Sequence, residues 1–373
     1  MSATLIPGHA TGEGTARYRA GLASLVAVEH FRAWESLAPS SVGFGTYLGD
    51  DDESTDALYR AAIIRAVELG VNVLDSAINY RHQRSERVIG EALRLLIERR
   101  TLSREEVIVA TKGGFIPFDG ALPANRSAYV LETYIRPGIL KPEDVVAGFH
   151  AMTPRYLTDQ LARSRKNLGL ATIDVYYLHN PETQLSEIPR PEFLQRMRAS
   201  FEMLESAHAA GAIRWYGTAT WNGYRQPPDA PDYLSLQELV ELAREVAGEE
   251  HHFRVLQVPF NLAMPEAFTH RNQPLGQERV SLLEAARHFG LYVMASASIY
   301  QGQLTRRLPS ILSESLAGLE TDAQRALQFV RSTPGLGTAL VGMKLTAHVE
   351  ENLGVARIPP APLEDYLRLF KQA

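Results

Sequence analysis

The chain has 373 residues, 45% hydrophobic and 22% charged, with a formal net charge of −5. This is the composition of an ordinary globular protein, and its acidic balance speaks against a nucleic-acid partner, which shows as a basic face or a high pI. With no cysteine, disulfides, thiolate metal sites and cysteine nucleophiles are excluded. No apolar run reaches the roughly 18 residues of a membrane span, and the first residues lack the basic start and apolar core of a signal peptide. The expected location is the cytoplasm.

In chain order, residues 1–40 read as an extension or outer cap preceding the first clear strand, Val42 to Tyr47. A helix follows over 56–69, with Leu58, Ile63 and Val67 roughly in register and Gly70 as its stop. Strand 71–75, helix 84–99 and strand 106–111 come next. Thr153-Pro154 matches a side-chain cap with proline in the first helical position, opening a helix over 153–168. The series then runs strand 173–178, helix 192–210 stopped by Gly211, strand 213–217, helix 235–247, strand 254–258, helix 278–289, strand 291–295, helix 320–331 and strand 338–341. With 346–353 as the last helix there are eight strand–helix steps, the number of a (β/α)8 TIM barrel. A doubly wound sheet is the weaker alternative. Residues 41–373 are expected to form that single domain, with long rim loops at 113–152 and 218–234 of the functional or mobile kind.

Several short apolar runs end on chemically able residues. Val71-Asn-Val-Leu ends on Asp75, with Tyr80 five residues on; the run before Lys112 and the run before His179 behave likewise. A parallel barrel gathers the C-terminal ends of its strands at one rim. A free tyrosine has a pKa near 10, too high for efficient proton transfer at neutral pH. Lys112 is expected to stabilise the phenolate of Tyr80 and lower its pKa, with Asp75 holding Lys112 charged. His179 would orient a carbonyl oxygen beside the Tyr80 hydroxyl.

The string Asp75-Ser-Ala-Ile-Asn-Tyr80, followed by Ser85-Glu86 and Ile89-Gly90-Glu91-Ala92-Leu93, resembles the aldo-keto reductases. So do Ala110-Thr-Lys112, Asp174-Val-Tyr-Tyr-Leu-His179, Gly211-Ala-Ile-Arg214 and Glu351-Asn352-Leu353, in order from about Val42 to Leu353. The resemblance implies a (β/α)8 barrel and reduction of a small-molecule aldehyde or ketone by NADPH, with no metal. Tyr80 would be the proton donor, Lys112 and Asp75 its tuners, and His179 the substrate-orienting group. It further implies Gly45 and Thr46 lining the nicotinamide pocket and Gln257 contacting the carboxamide. Lys344 and His348 would lie at the 2′-phosphate, favouring NADP over NAD, and Glu351 and Asn352 at the adenine.

Two stretches depart from the family pattern. Ala219-Thr220 stand where Ser-Asn or Ser-Arg is usual, leaving Thr220 as a single donor. Ser296-Ala297-Ser298-Ile299 stand where an aromatic ring usually stacks on the nicotinamide, so Ser296 takes that place and a ring would have to come from Trp221, Tyr300 or Trp215. These departures motivate a second reading, a hydride-independent lyase, isomerase or dehydratase using the same Tyr80/Lys112 pair. A third is a nucleotide-binding regulatory subunit, against which the intact chemical residues argue. Gly43-Phe-Gly45-Thr-Tyr-Leu-Gly49 is one residue too long for a Rossmann fingerprint and reads as a first-strand turn. His251-His252 reads as an exposed pair without metal spacing, and Asp50-Asp51-Asp52-Glu53 as a solvated helix N-terminus. Phe115, Phe118 and Tyr134 would cover the substrate, whereas Met152 and Tyr156 suit either that role or packing. Tyr177 reads as barrel packing. Substrate identity and oligomeric state stay open.

Overall fold

The computed structural model describes residues 4–370. Eight strands close a parallel barrel: β1 (Val42–Gly45), β2 (Val73–Asp75), β3 (Ile108–Gly113), β4 (Ile173–His179), β5 (Ile213–Ala219), β6 (Phe253–Pro259), β7 (Tyr292–Ser296) and β8 (Thr338–Gly342). They neighbour one another in chain order, and β1 closes the circle by pairing Phe44 with Val341 and Gly45 with Gly342. The period of two along each strand divides the core. Val73, Ile108, Ala110, Val175, Tyr177, Val255, Met294 and Leu340 fill the interior. Their sequence neighbours Leu74, Val109, Tyr176, Leu178, Leu256 and Val293 pack outward beneath the helices. Tyr177 is thus barrel packing, as the alternation implied.

Outside lie α1 (Glu53–Glu68), α2 (Arg84–Glu98), α3 (Pro154–Leu168), α4 (Arg190–Ala209), α5 (Leu236–Ala247), α6 (Leu282–His288), α7 (Asp322–Ser332) and α8 (Thr346–Leu353). The acidic stretch before α1 is its capped start: Asp52 accepts the N–H of Thr55 at 2.7 Å, compensating an otherwise unpaired donor. Gly169 ends α3 at φ 68, a left-handed position that glycine adopts without steric cost.

One helix is shorter than its sequence suggests. Residues 278–280 are a strand, Glu278–Val280, hairpinned against Gln273–Leu275 through Gly276 at φ 60. The helix starts only at Leu282, because Ser281 and Glu284 form a reciprocal capping box that fixes its first turn there.

Residues 4–40 are more than an outer cap. After a helix over Gly12–Gly21, Trp34 stacks on Tyr292 with ring centroids 4.9 Å apart and also packs on Trp215. Ala10, Trp34 and Leu37 join the interior cluster and close the N-terminal mouth of the barrel. Buried Asp174 ties the segment down: it accepts the Ala10 N–H at 2.7 Å, the Val109 N–H at 2.8 Å and the Arg104 guanidinium at 2.7 Å.

His251-His252 is not an exposed pair. His251 is buried, and His252 bonds to Glu205 at 2.7 Å and stacks on His208. Just before β6, the His252 ring lies against α4, whereas the His251 ring faces Arg254. The 113–152 loop has a small core of its own, with Tyr134 and Tyr156 wholly buried beside Ile116, Leu140 and Ala151. Tyr134 is therefore packing rather than a substrate cover. Tyr156, bonded through its hydroxyl to the Phe115 carbonyl, and Met152 are packing too. Among the described residues, no helix is long and apolar enough to cross a membrane.

Candidate active site

Strand register explains why distant residues meet. Asp75 pairs with Ala110, two residues before Lys112. Lys112 pairs with Tyr177, two residues before His179, and His179 stands level with Ala219 and Gln257 on the next two strands. Steps of two keep side chains on the inner face, so all four side chains reach the C-terminal rim.

Lys112 Nζ donates to Asp75 Oδ2 and to the Ser76 carbonyl, each at 2.7 Å. Gln257 Nε2 donates to the other carboxylate oxygen, Oδ1, at 2.7 Å. Burial pushes the Asp75 carboxyl up and the Lys112 ammonium down, and the mutual attraction across the pair opposes both shifts. Tyr80 lies over this pair, with Lys112 Nζ 4.9 Å from its ring centroid. It packs edge-on against Tyr47 at 5.0 Å and His179 at 5.8 Å.

The expected lowering of the Tyr80 pKa is not what the geometry gives. Burial, then the Asp75 charge, then Tyr47 push it well above 10. Lys112 directs its bonds to Asp75 and Ser76 and lies against the ring. Burial, then Lys112, then His150 hold His179 well below the usual imidazole range, so it is neutral at pH 7.

Ser85, Glu86 and Thr46 make internal hydrogen bonds around Asp75, Tyr80, Lys112 and His179. Ser85 Oγ donates to the Thr46 carbonyl at 2.7 Å. Buried Glu86 accepts from Thr111 at 2.7 Å and from Asn167 at 2.8 Å, joining α2, β3 and α3. Thr46 uses its own hydroxyl on the Asp75 carbonyl and on Ser76.

The remaining candidates fall into two groups. Gly45 and Gly342 adjoin in register, and a Cβ on either would meet nothing nearer than 3.7 Å. Such a Cβ would make only ordinary van der Waals contact with the paired strand, so close packing does not require glycine at either position. Thr220 is 4% exposed, and its hydroxyl has no hydrogen-bond partner among the described residues. Ser296 is half-buried at the end of β7. Lys344 is partly exposed, His348 and Glu351 are exposed and Asn352 is buried, all at or just before α8. Among the described residues, no hydrogen bond or ion pair joins Lys344, His348, Glu351 or Asn352 to the Tyr80 cluster. Trp215 packs at the opposite end of the barrel and cannot supply a ring at the rim, whereas Trp221, 41% exposed, and Tyr300 lie on rim loops.

Sequence reading passed over Glu182 and His150. Glu182 Oε1 accepts the N–H groups of Trp221, Asn222 and Gly223, and so fixes the loop after β5. His150 bonds to the His179 carbonyl at 2.7 Å. The only advance signal was the proximity of Glu182 to His179 in sequence; nothing marked His150.

A family model described as the Aldo/keto reductase family matches residues 41–308. The chain belongs to this family. Among curated proteins, the NADH-specific methylglyoxal reductase of Escherichia coli K12 is 26% identical over 159 residues, 42% of this chain and 39% of that one. The match thus spans about two fifths of that relative. Among solved structures, an aldo/keto reductase from Klebsiella pneumoniae in complex with NADP and acetate superposes with TM-score 0.61 at 20% identity, covering 92% of this chain and 95% of that one. An aldo-keto reductase from Bacillus halodurans in its holo form gives 0.62 at 19% identity, over 92% and 96% of the two chains. At these identities the likeness is one of fold, and this aldo/keto reductase shares the closed barrel.

Proposed function

We propose that this aldo/keto reductase reduces an aldehyde or ketone to the alcohol, using NADPH as hydride source and Tyr80 as proton donor. The observation that carries the reading is the stack at the rim: a buried Asp75–Lys112 ion pair, Tyr80 above it, and a neutral imidazole, His179, against the Tyr80 ring. The residues present fit a dinucleotide. The unpartnered Thr220 hydroxyl suits the nicotinamide end, and Lys344 with His348 suits a 2′-phosphate. The Klebsiella neighbour was solved with NADP, which supports the same choice; the curated relative is NADH-specific, so the two nucleotides need direct comparison. When bound, the nicotinamide supplies the hydride that the carbonyl carbon receives.

The protein's part is positioning and proton supply. Neutral His179 donates a hydrogen bond to the substrate oxygen and leaves that oxygen free to take a second. The raised pKa keeps Tyr80 a phenol, so its O–H proton is available when negative charge develops on the oxygen. Lys112, 4.9 Å from the ring centroid, stabilises the phenolate left behind, a positive charge fixed where negative charge appears. Asp75, gripped by Lys112 and Gln257, keeps the ammonium beneath the ring.

The test is a tryptophan-fluorescence titration with NADPH and with NADH, followed by a carbonyl screen. Saturable binding with NADPH preferred, and a Tyr80→Phe variant that binds nucleotide but reduces about 10²–10⁴-fold more slowly, support the reading. No binding of either nucleotide, or full activity in Tyr80→Phe, overturns it. Lys344→Met is expected to weaken NADPH about tenfold and leave NADH unchanged.

A further inference from the structure

We infer that His150, from the far end of the 113–152 loop, is a positioning residue that fixes His179 at the rim by holding its backbone carbonyl. The inference rests on the reductase reading for its kinetic consequence, though not for its geometry. His179 is the last residue of β4, where the sheet ladder gives out. The next N–H groups, just past the end of β5, are already committed, Thr220 to the Gln257 carbonyl and Trp221 to Glu182. The His179 carbonyl gets its donor from His150 Nε2 at 2.7 Å instead.

The direction of this bond follows from a chain of obligatory donors. Arg196 can only donate, and it donates to Gln184 Oε1 at 2.6 Å. That orients the Gln184 amide so that its Nε2 faces His150 Nδ1 at 2.8 Å. Nδ1 therefore accepts, the ring proton sits on Nε2, and Nε2 donates to the His179 carbonyl. Glu192 anchors Arg196 at 2.7 Å. Burial keeps the His150 ring neutral, with its pKa lowered to about 4.

The approach requires glycine at position 114, whose φ is +143; a Cβ there would lie 2.8 Å from His150 Nε2 and 2.9 Å from the His179 carbonyl oxygen. The loop ends are zipped together at the same place, Ala151 N–H to the Gly114 carbonyl and Ile116 N–H to the Phe149 carbonyl. This leaves Phe115 edge-on to both imidazoles, 4.7 Å from His179 and 5.2 Å from His150. One relay thus sets both the backbone of His179 and the aromatic wall beside it.

The test uses full-length His150→Ala, His150→Gln and Gln184→Met, with nucleotide Kd, carbonyl kcat and KM, and the thermal midpoint measured on each. Because misplacement by an ångström costs on the order of 10²-fold, His150→Ala is expected to lower kcat by about 10- to 100-fold while nucleotide Kd stays within about twofold. His150→Gln, whose Nε2 reaches the same carbonyl, is expected to recover most of that loss. Unchanged kcat in His150→Ala, or no recovery in His150→Gln despite a normal midpoint, overturns the inference. Gln184→Met removes the tautomer-setting donor from the edge of the relay and serves if His150→Ala does not fold; a several-fold loss supports the relay and none overturns it. Imidazole 15N resonances read the geometry apart from activity. A proton on Nε2 of His150 and a His179 ring signal that moves in Gln184→Met are expected; a proton on Nδ1, or an unmoved His179, overturns the inference even if the protein reduces no carbonyl. Wild type that binds neither nucleotide sinks the reductase reading alone.

Discussion

Lys112→Met separates what the buried ion pair does for folding from what it does for chemistry. The side chains of Lys112 and Asp75 are 0% and 6% exposed and lie 2.7 Å apart. Removing the lysine leaves the Asp75 carboxylate buried with only Gln257 donating to it. Breaking one side of such a pair costs about 3–5 kcal/mol, because the remaining charge is uncompensated, whereas neutralising both sides costs far less. The double variant Asp75→Asn/Lys112→Met should therefore recover most of the stability lost by Lys112→Met, with no recovery of carbonyl reduction. The single variant carries a pH signature as well. Burial already raises the folded-state pKa of Asp75, and loss of the ammonium raises it further. Between the unfolded value near 3.9 and that raised value, the native state binds more protons than the unfolded one, so stability falls as pH rises. The gap between Lys112→Met and wild type should thus be wider at pH 8 than at pH 5. Urea unfolding at both pH values, followed by tryptophan fluorescence, measures it. A single variant as stable as wild type, or a gap that widens on acidification, refutes the argument.

Three further outcomes follow from other buried groups. His30 bonds to the Gly70 carbonyl and to Ser41, and its pKa is lowered to about 3; the unfolded state then binds the extra proton below pH 6.5, and stability is lost as pH falls. At about 1.36 kcal/mol per unit, roughly 2 kcal/mol should go by pH 5, and His30→Gln should flatten that part of the urea-midpoint profile. Because burial holds the Tyr80 phenol well above its usual pKa, kcat for reduction should show no alkaline limb attributable to Tyr80 below about pH 10; a limb near pH 8 that disappears in Tyr80→Phe contradicts the assignment. Asp174→Asn leaves Arg104, 4% exposed, without its carboxylate and loosens the grip on Ala10. A loss of about 3 kcal/mol and faster proteolysis of the first 40 residues are expected, and an unchanged cleavage pattern counts against the anchoring role.

The barrel and its rim were legible because short continuous apolar runs, each ending on a polar group and alternating with helical stretches, admit few architectures. Asp75, Lys112 and His179 were readable for the same reason: each ends an inward-facing run, and strand register does the rest. Three things were not readable. The 273–280 hairpin hides in a polar stretch, where Glu278 and Arg279 have no apolar partner to reveal a strand. The interior role of Trp34 depends on contacts with Trp215, 181 residues on, and with Tyr292, further still, which no local pattern encodes. His150 acts through a backbone carbonyl, and a donor to a carbonyl has no spacing rule. The electrostatic expectation for Tyr80 failed for a related reason: sequence puts a cation near the ring but cannot say which atoms its three protons choose.

The acidic stretch before α1 shows how a surface feature reaches the chemistry. Directly after Tyr80, three non-glycine residues in a row, Arg81, His82 and Gln83, have φ of 47, 53 and 73. Each such residue costs of order 1–3 kcal/mol and persists only where its surroundings over-determine it. Here they do. Arg81, 5% exposed, donates to the Asp50 carbonyl at 2.9 Å and to Asp56 at 2.7 Å, and it lies over the Tyr59 ring. His82 faces Asp51 at 3.1 Å, and Gln83 bonds to the Phe118 carbonyl and to Asn167. The segment that starts α1 thus also clamps a strained turn: the Asp52 carboxylate caps the helix, while the Asp50 carbonyl and the Asp51 and Asp56 carboxylates hold the residues directly after Tyr80. The acidic run read as a solvated helix end therefore also braces the turn that follows the Tyr80 ring over Lys112.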